Sequence, residues 1–205
     1  MHRRRAVGTW GSWLAFRAGE HKEAERMFGV LAKRGKTEWD KQLGHHGLAY
    51  MALLRRDAEA ARTHAEAIED ERLQPMVPTT LRWAVLFGGD AGAADTLDTF
   101  DLLGVYGVWF GGTGYWRGLS VQGLLPGSPL ADTFPQVRPK DVIIRVGDQW
   151  LQCAAGVQNL RKAPPPEGPT RVVVRRGEDL FEVSVDFAAA RTAAKQMTKT
   201  GEPAQ

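Results

Sequence analysis

Apolar and polar positions change rhythm near residue 100. Before it, Ala, Leu, Glu and Arg recur at helical spacing; beyond it, Val, Gly and Pro dominate and the apolar positions alternate with a period close to two. Residues 12–31 (SWLAFRAGEHKEAERMFGVL) and 48–68 (LAYMALLRRDAEAARTHAEAI) each read as an apolar helical face, a polar break, then Glu-Ala opening a further helical face. Aligning Glu23-Ala24 with Glu59-Ala60 gives a spacing of 36 residues, and a weaker third copy, 81–100, places Ala93 or Ala94 some 33 or 34 residues further on. Antiparallel helices are expected, bounded by Gly35, Gly44 and the break between Pro75 and Pro78.

In the second half, Val105, Gly107 and Phe110 interleave as a first strand, 117–125 makes a second, and 141–146 a buried third. Residues 171–174 and 180–185 flank Arg176-Gly177-Glu178-Asp179 as a hairpin, with Val172, Val174, Val183 and Val185 facing inward. Short helices are expected over 128–134, after a Pro-Gly-Ser-Pro turn, and over 153–161. The fold class is therefore α+β: antiparallel helical hairpins over 1–100, a small β domain with two helices over 101–187, and a flexible tail over 188–205 whose start can extend as a short helix before a polar end.

Charge narrows the function. The formal net charge is +3, and the clusters Arg3-Arg4-Arg5, Arg55-Arg56 and Arg175-Arg176 are short and scattered. A nucleic-acid binder gathers its cations on one face, so nucleic acid is not an expected partner. The single cysteine, Cys153, allows no disulfide within the chain and fits a reducing compartment. No apolar stretch suits a secretory leader or a spanning helix, so a cytoplasmic protein without membrane insertion is expected. Trp10, Trp13 and Trp39 are candidates to line a groove on the helices or to be core, and at helical spacing core is the commoner outcome.

Two resemblances attach to these motifs. The helix-turn-helix unit of about 34 residues, with Gly19 and Gly88 (but Arg55) at the helix turn and Phe28, His64 and Leu97 at the aromatic position, resembles the tetratricopeptide repeat. The ordered set Leu102-Leu103-Gly104-Val105, PGSPLA, KDVIIRVG and the stripe Cys153, Val157, Leu160 resembles a PDZ domain, most of all those attached to bacterial proteases of the high-temperature-requirement family.

The PDZ resemblance implies a peptide receptor. Leu102, Leu103, Gly104 and Val105 would form a loop whose amides hold a C-terminal carboxylate; Tyr106, Gly107 and Val108 would pair with the peptide as an added strand. Leu103 and Val105 would floor an apolar pocket walled by Cys153, Val157 and Leu160, spaced i, i+4, i+7 on one helical face. The implied partner is a protein tail with an apolar last residue, or an internal peptide. Gly107 suggests a roomier pocket, Gly156 a mobile wall, and Lys140 stands where such domains usually carry glycine before Asp141. The alternatives are a structural or assembly module with a non-binding PDZ fold, and a regulatory fragment of a larger protease-type enzyme.

Catalytic chemistry finds no support. Gly35-Lys36-Thr37 lacks the upstream glycine of a phosphate-binding loop, since position 30 is Val30. His45 and His46 point about 100° apart on a helix with no third ligand at helical spacing. Ser120, Ser128 and Ser184 have no histidine near them in sequence. No catalytic residue, metal or cofactor is expected, and the chain reads as a non-enzymatic protein-interaction adaptor.

Overall fold

The computed structural model describes residues 18–109, 118–151 and 154–198 of the 205. It combines helices with one antiparallel sheet and divides into two compact units, Met1–Ala84 and Val85–Gln205. The division falls before residue 100, where the sequence pattern put it. Among the described residues no helix is long and apolar enough to cross a membrane.

The first unit is built on α1 (His21–Arg34), α2 (Glu38–Leu54) and α3 (Ala58–Glu66), followed by a 3-10 turn at Gln74–Met76 and by α4 (Val77–Phe87), which runs past the division. Thr37 and Asp40 start α2 with a reciprocal capping box, Asp40 N–H donating to the Thr37 hydroxyl and Thr37 N–H to the Asp40 carboxylate, both at 3.1 Å. Gly44 does not bound a helix as expected but lies inside α2, where a Cβ would come within 2.2 Å of the Ala32 backbone nitrogen. A Cβ on Gly47 would meet the buried Phe28 ring at 2.3 Å. These two glycines let α1 and α2 touch backbone to backbone, which is why the apolar face of α2 is broken by small residues.

The helical recurrence has a backbone counterpart. Gly19 (φ +80°), Arg56 (φ +57°) and Gly89 (φ +100°) each take the left-handed conformation at a polar break. Each precedes an acidic residue at the start of the next turn: Glu20, Asp57 and Asp90, of which Asp57 and Asp90 accept the N–H of Ala60 and Gly92. In the third copy the expected helix is replaced by a 3-10 segment, Ala91–Thr96, and by the single turn α5 (Thr99–Leu102). Both belong to the second unit.

The second unit carries β1 (Val105–Trp109), β2 (Leu119–Leu124), β3 (Val142–Val146), β4 (Gln149–Trp150), β5 (Pro169–Arg176) and β6 (Asp179–Asp186). The sheet runs β1-β2-β3-β5-β6 with β4 paired to β3. The period-two pattern holds on the β5–β6 hairpin, where Val172, Val174, Val183 and Val185 are all buried. The segment 128–134 forms only the 3-10 turn Pro129–Asp132, opened by Ser128 accepting the Leu130 N–H, and Phe134 projects almost fully into solvent. Helix α6 spans Ala154–Lys162.

The chain from Ala188 continues as the short helix its composition allowed, and residues 199–205 lie outside the described residues. Asp186 accepts the N–H groups of Ala188 and Ala189 and starts α7 (Phe187–Met197), which buries Phe187, Ala190 and Ala194. Arg191 donates to the Leu97 carbonyl at 3.0 Å and Lys195 pairs with Asp95 at 2.6 Å, so α7 lies on the 3-10 segment. Its Met197 Cε occupies the space above Gly127. The alanine periodicity of 188–194 was an amphipathic face needing only a partner surface.

Candidate functional site

The segment around Gly104 starts from a capping box. Asp101 N–H donates to the Asp98 carboxylate at 2.8 Å and Asp98 N–H to the Asp101 carboxylate at 3.2 Å, opening α5. Gly104 (φ +61°) then swings the chain into β1. The turn consumes its own amides: Leu102 N–H donates to the Asp98 carbonyl (3.0 Å), Leu103 N–H to Phe100 (3.2 Å) and Gly104 N–H to Asp101 (2.9 Å).

This corrects the expected carboxylate-binding loop. Of the amides of Leu102, Leu103, Gly104 and Val105, three are bonded inside the turn. The fourth has a different fate. Leu125 N–H donates to the Gly104 carbonyl at 2.7 Å, which makes Val105 and Leu124 a non-hydrogen-bonded antiparallel pair. The Val105 N–H therefore faces the margin of β1 opposite β2. Among the described residues that margin carries no strand, since β1 is terminal in the sheet.

The charge beneath the turn is also unsuited to an anion. Arg161 of α6 reaches both Asp98 (2.8 Å) and Asp101 (3.2 Å), with its guanidinium carbon 4.8 Å from the Phe100 ring centre. Asp101 is fully buried and Arg161 nearly so. Both carboxylates already engage this guanidinium, so a terminal carboxylate placed on this turn would find that cation occupied. The cluster pins the end of α6 to α5, and Thr99 adds a 3.5 Å hydrogen bond to the Ala163 carbonyl.

The pocket lining lies in the interior. Leu103, Val105, Tyr106 and Val157 have no exposed surface and Leu160 is 3% exposed, so the residues expected to floor and wall a slot are core packing as folded. Val108 lies in β1 opposite Ser120. Cys153 lies outside the described residues. Gly107 does not enlarge a pocket. It follows the register shift between Tyr106 and Gly107, and a Cβ there would come 2.6 Å from the Ser120 carbonyl oxygen. Nor does Gly156 loosen the wall, because a Cβ there would reach 1.9 Å from the Trp150 carbonyl oxygen; the glycine lets α6 press onto β4.

Sequence reasoning missed a separate cavity of about 430 Å³, lined by Thr99, Asp148, Leu160, Pro164, Glu167 and Arg171 among others. The proline-rich run 163–169 that builds one side of it was its only sequence signal. Among the described residues no three His, Cys, Asp or Glu side chains are gathered as metal ligands would be. His46 is fully buried in α2, which pushes its pKa down to about 3 and keeps the ring neutral. No family model, no curated protein and no solved structure matches this chain.

Proposed function

We propose that the second unit is a PDZ-like protein-interaction module that takes an extended segment of another polypeptide as an added strand along the margin of β1 opposite β2, which must open to receive it because residues 105–107 are buried as folded. Preceded by tetratricopeptide-like helices, it makes the chain an adaptor without catalysis. The supporting observation is the placement of β1: a terminal strand, entered through a left-handed glycine, with the Val105 N–H turned away from β2. Main-chain pairing would carry the affinity. With the neighbouring amides spent and Arg161 already engaged by two carboxylates, a free C-terminus gains no advantage over an internal segment.

The test is a pair of matched β-branched hexapeptides, one with a free and one with an amidated C-terminus, titrated into the full chain and followed by backbone amide shifts. Equal binding, with shifts along 105–108, supports the reading; failure of both peptides at millimolar concentration sinks it. A second reading, an assembly module whose contacts lie outside this margin, is favoured by the complete burial of Leu103, Val105 and Val157. Hydrogen exchange in a purified complex separates the two. Strand addition protects the Val105 amide, whereas an assembly contact leaves it unchanged.

A further inference from the structure

Two imidazoles from different helices of the first unit meet nitrogen to nitrogen. His45 Nδ1 on α2 and His64 Nδ1 on α3 lie 3.3 Å apart, with ring centres 5.4 Å apart and planes inclined by 51°. In a tetrahedral site, two imidazole nitrogens each about 2.0–2.1 Å from the ion stand about 3.3 Å from one another. The observed separation is thus the edge of such a tetrahedron, reached before any ion is added. The same contact is a hydrogen bond in which one ring's Nδ1–H donates to the other ring's Nδ1, so binding an ion through both Nδ1 atoms moves that proton to Nε2. Imidazole nitrogen is a ligand that suits a borderline metal.

The surroundings favour a cation. The charged groups acting on His64 are Glu25 of α1 and Arg55 and Asp57 of the turn between α2 and α3. Glu25 is held by Arg55 at 2.6 Å, and Asp57 caps α3 through the Ala60 N–H at 3.0 Å. Two carboxylates against one guanidinium leave a net negative field at the edge of the pair. The geometry is also stiff. Gln42, one turn before His45, donates to the Ala67 carbonyl at 3.3 Å and accepts the N–H groups of Glu69 (2.6 Å) and Asp70 (3.2 Å), fastening α2 to the chain beyond α3.

We propose that His45 and His64 form a two-histidine clamp for a borderline divalent transition-metal ion such as Zn²⁺, bound through both Nδ1 atoms and cross-linking α2 to α3, with water completing the coordination. With only two protein ligands the ion exchanges readily, so the clamp responds to metal supply. Its effect is to stabilise the α2–α3 pairing by linkage.

The test uses the untagged full chain and zinc chloride. Zinc in excess is expected to raise the thermal midpoint by about 5 °C or more, reversibly on adding chelator. His45→Ala and His64→Ala should each abolish that rise, and His21→Ala should keep it. A wild-type chain that shows no rise, or a rise that survives in either clamp variant, overturns the proposal. Because a variant could simply fold poorly, long-range proton–nitrogen correlation spectra of the wild-type chain give an independent reading. Zinc must move the Nδ1 resonances of His45 and His64 and leave Nε2 protonated; metal on Nε2, or unchanged spectra, overturns the clamp.

Discussion

Ser128 fills the space that a side chain on residue 104 would need. A Cβ built on Gly104 comes 2.7 Å from Ser128 Cβ and 2.8 Å from its Cα, while the Ser128 hydroxyl donates to the Leu103 carbonyl at 2.6 Å. The Pro-Gly-Ser-Pro turn is thereby pressed onto the entrance to β1. Gly104→Ala should cost about 2–4 kcal/mol, combining the left-handed penalty of about 1–2 kcal/mol with a clash against backbone that cannot swing aside. Urea denaturation of the second unit checks this. A bulky residue at 104 is therefore no clean probe of peptide capture, since the fold fails with it.

Two glycines in neighbouring helices should respond with opposite sign. At Gly44 an added methyl meets the backbone of Ala32 at 2.2 Å, so Gly44→Ala should destabilise the first unit by about 1–3 kcal/mol or more. At Gly29, inside α1, nothing lies within 4 Å of the point an added methyl would occupy, and Gly29→Ala should stabilise by about 0.5–1 kcal/mol. Denaturant midpoints of the two variants on either side of wild type are the expected result.

Lys140 sits in the turn that leads into β3 with φ +82°, where an L side chain is strained. Its N–H donates to the Val121 carbonyl, so the conformation is locked by the sheet. Lys140→Gly should therefore raise stability by about 1 kcal/mol, despite the greater freedom glycine has when unfolded. A drop in thermal midpoint would contradict the strain argument.

Acid should weaken the first unit through His46. Its folded pKa, about 3, lies below the ordinary histidine value of 6.5, so the unfolded chain binds the proton more readily. The stability due to the neutral ring is complete above about pH 6.5 and is lost as pH falls from there toward 3, by up to about 1.4 kcal/mol per pH unit. The lowered pKa values of His45 and His64 act in the same direction. In His46→Gln the slope between pH 6.5 and 4 should flatten, as read from urea midpoints across that range.

Much of the local structure was written in the chain. The alternating valines of β5 and β6 had to bury one face, and the break at Gly88-Gly89 had to stop a helix, because each rests on the chemistry of a few adjacent residues. The glycines were the hardest to assign. A glycine in a sequence announces freedom or closeness without saying which, and only packing decided that Gly44 admits Ala32, that Gly107 serves a bulge and that Gly156 admits Trp150. For α7 the short helix was legible but its partner surface was not, and packing supplied the 3-10 segment at 91–96.

The site depended still more on the third dimension. The tetrapeptide Leu102-Leu103-Gly104-Val105 was legible as a turn into a strand, but the direction of its amides depends on whether a helical turn precedes it, and the Asp98–Asp101 box supplies one. His45 and His64, 19 residues apart, could not be paired by any helical spacing because they stand on two helices joined by a turn. Sequence by itself determined the elements and their apolar faces, since these follow from contacts between near neighbours. Tertiary structure alone decided which donors remained free and which rings met, since those depend on how close separate elements are allowed to come.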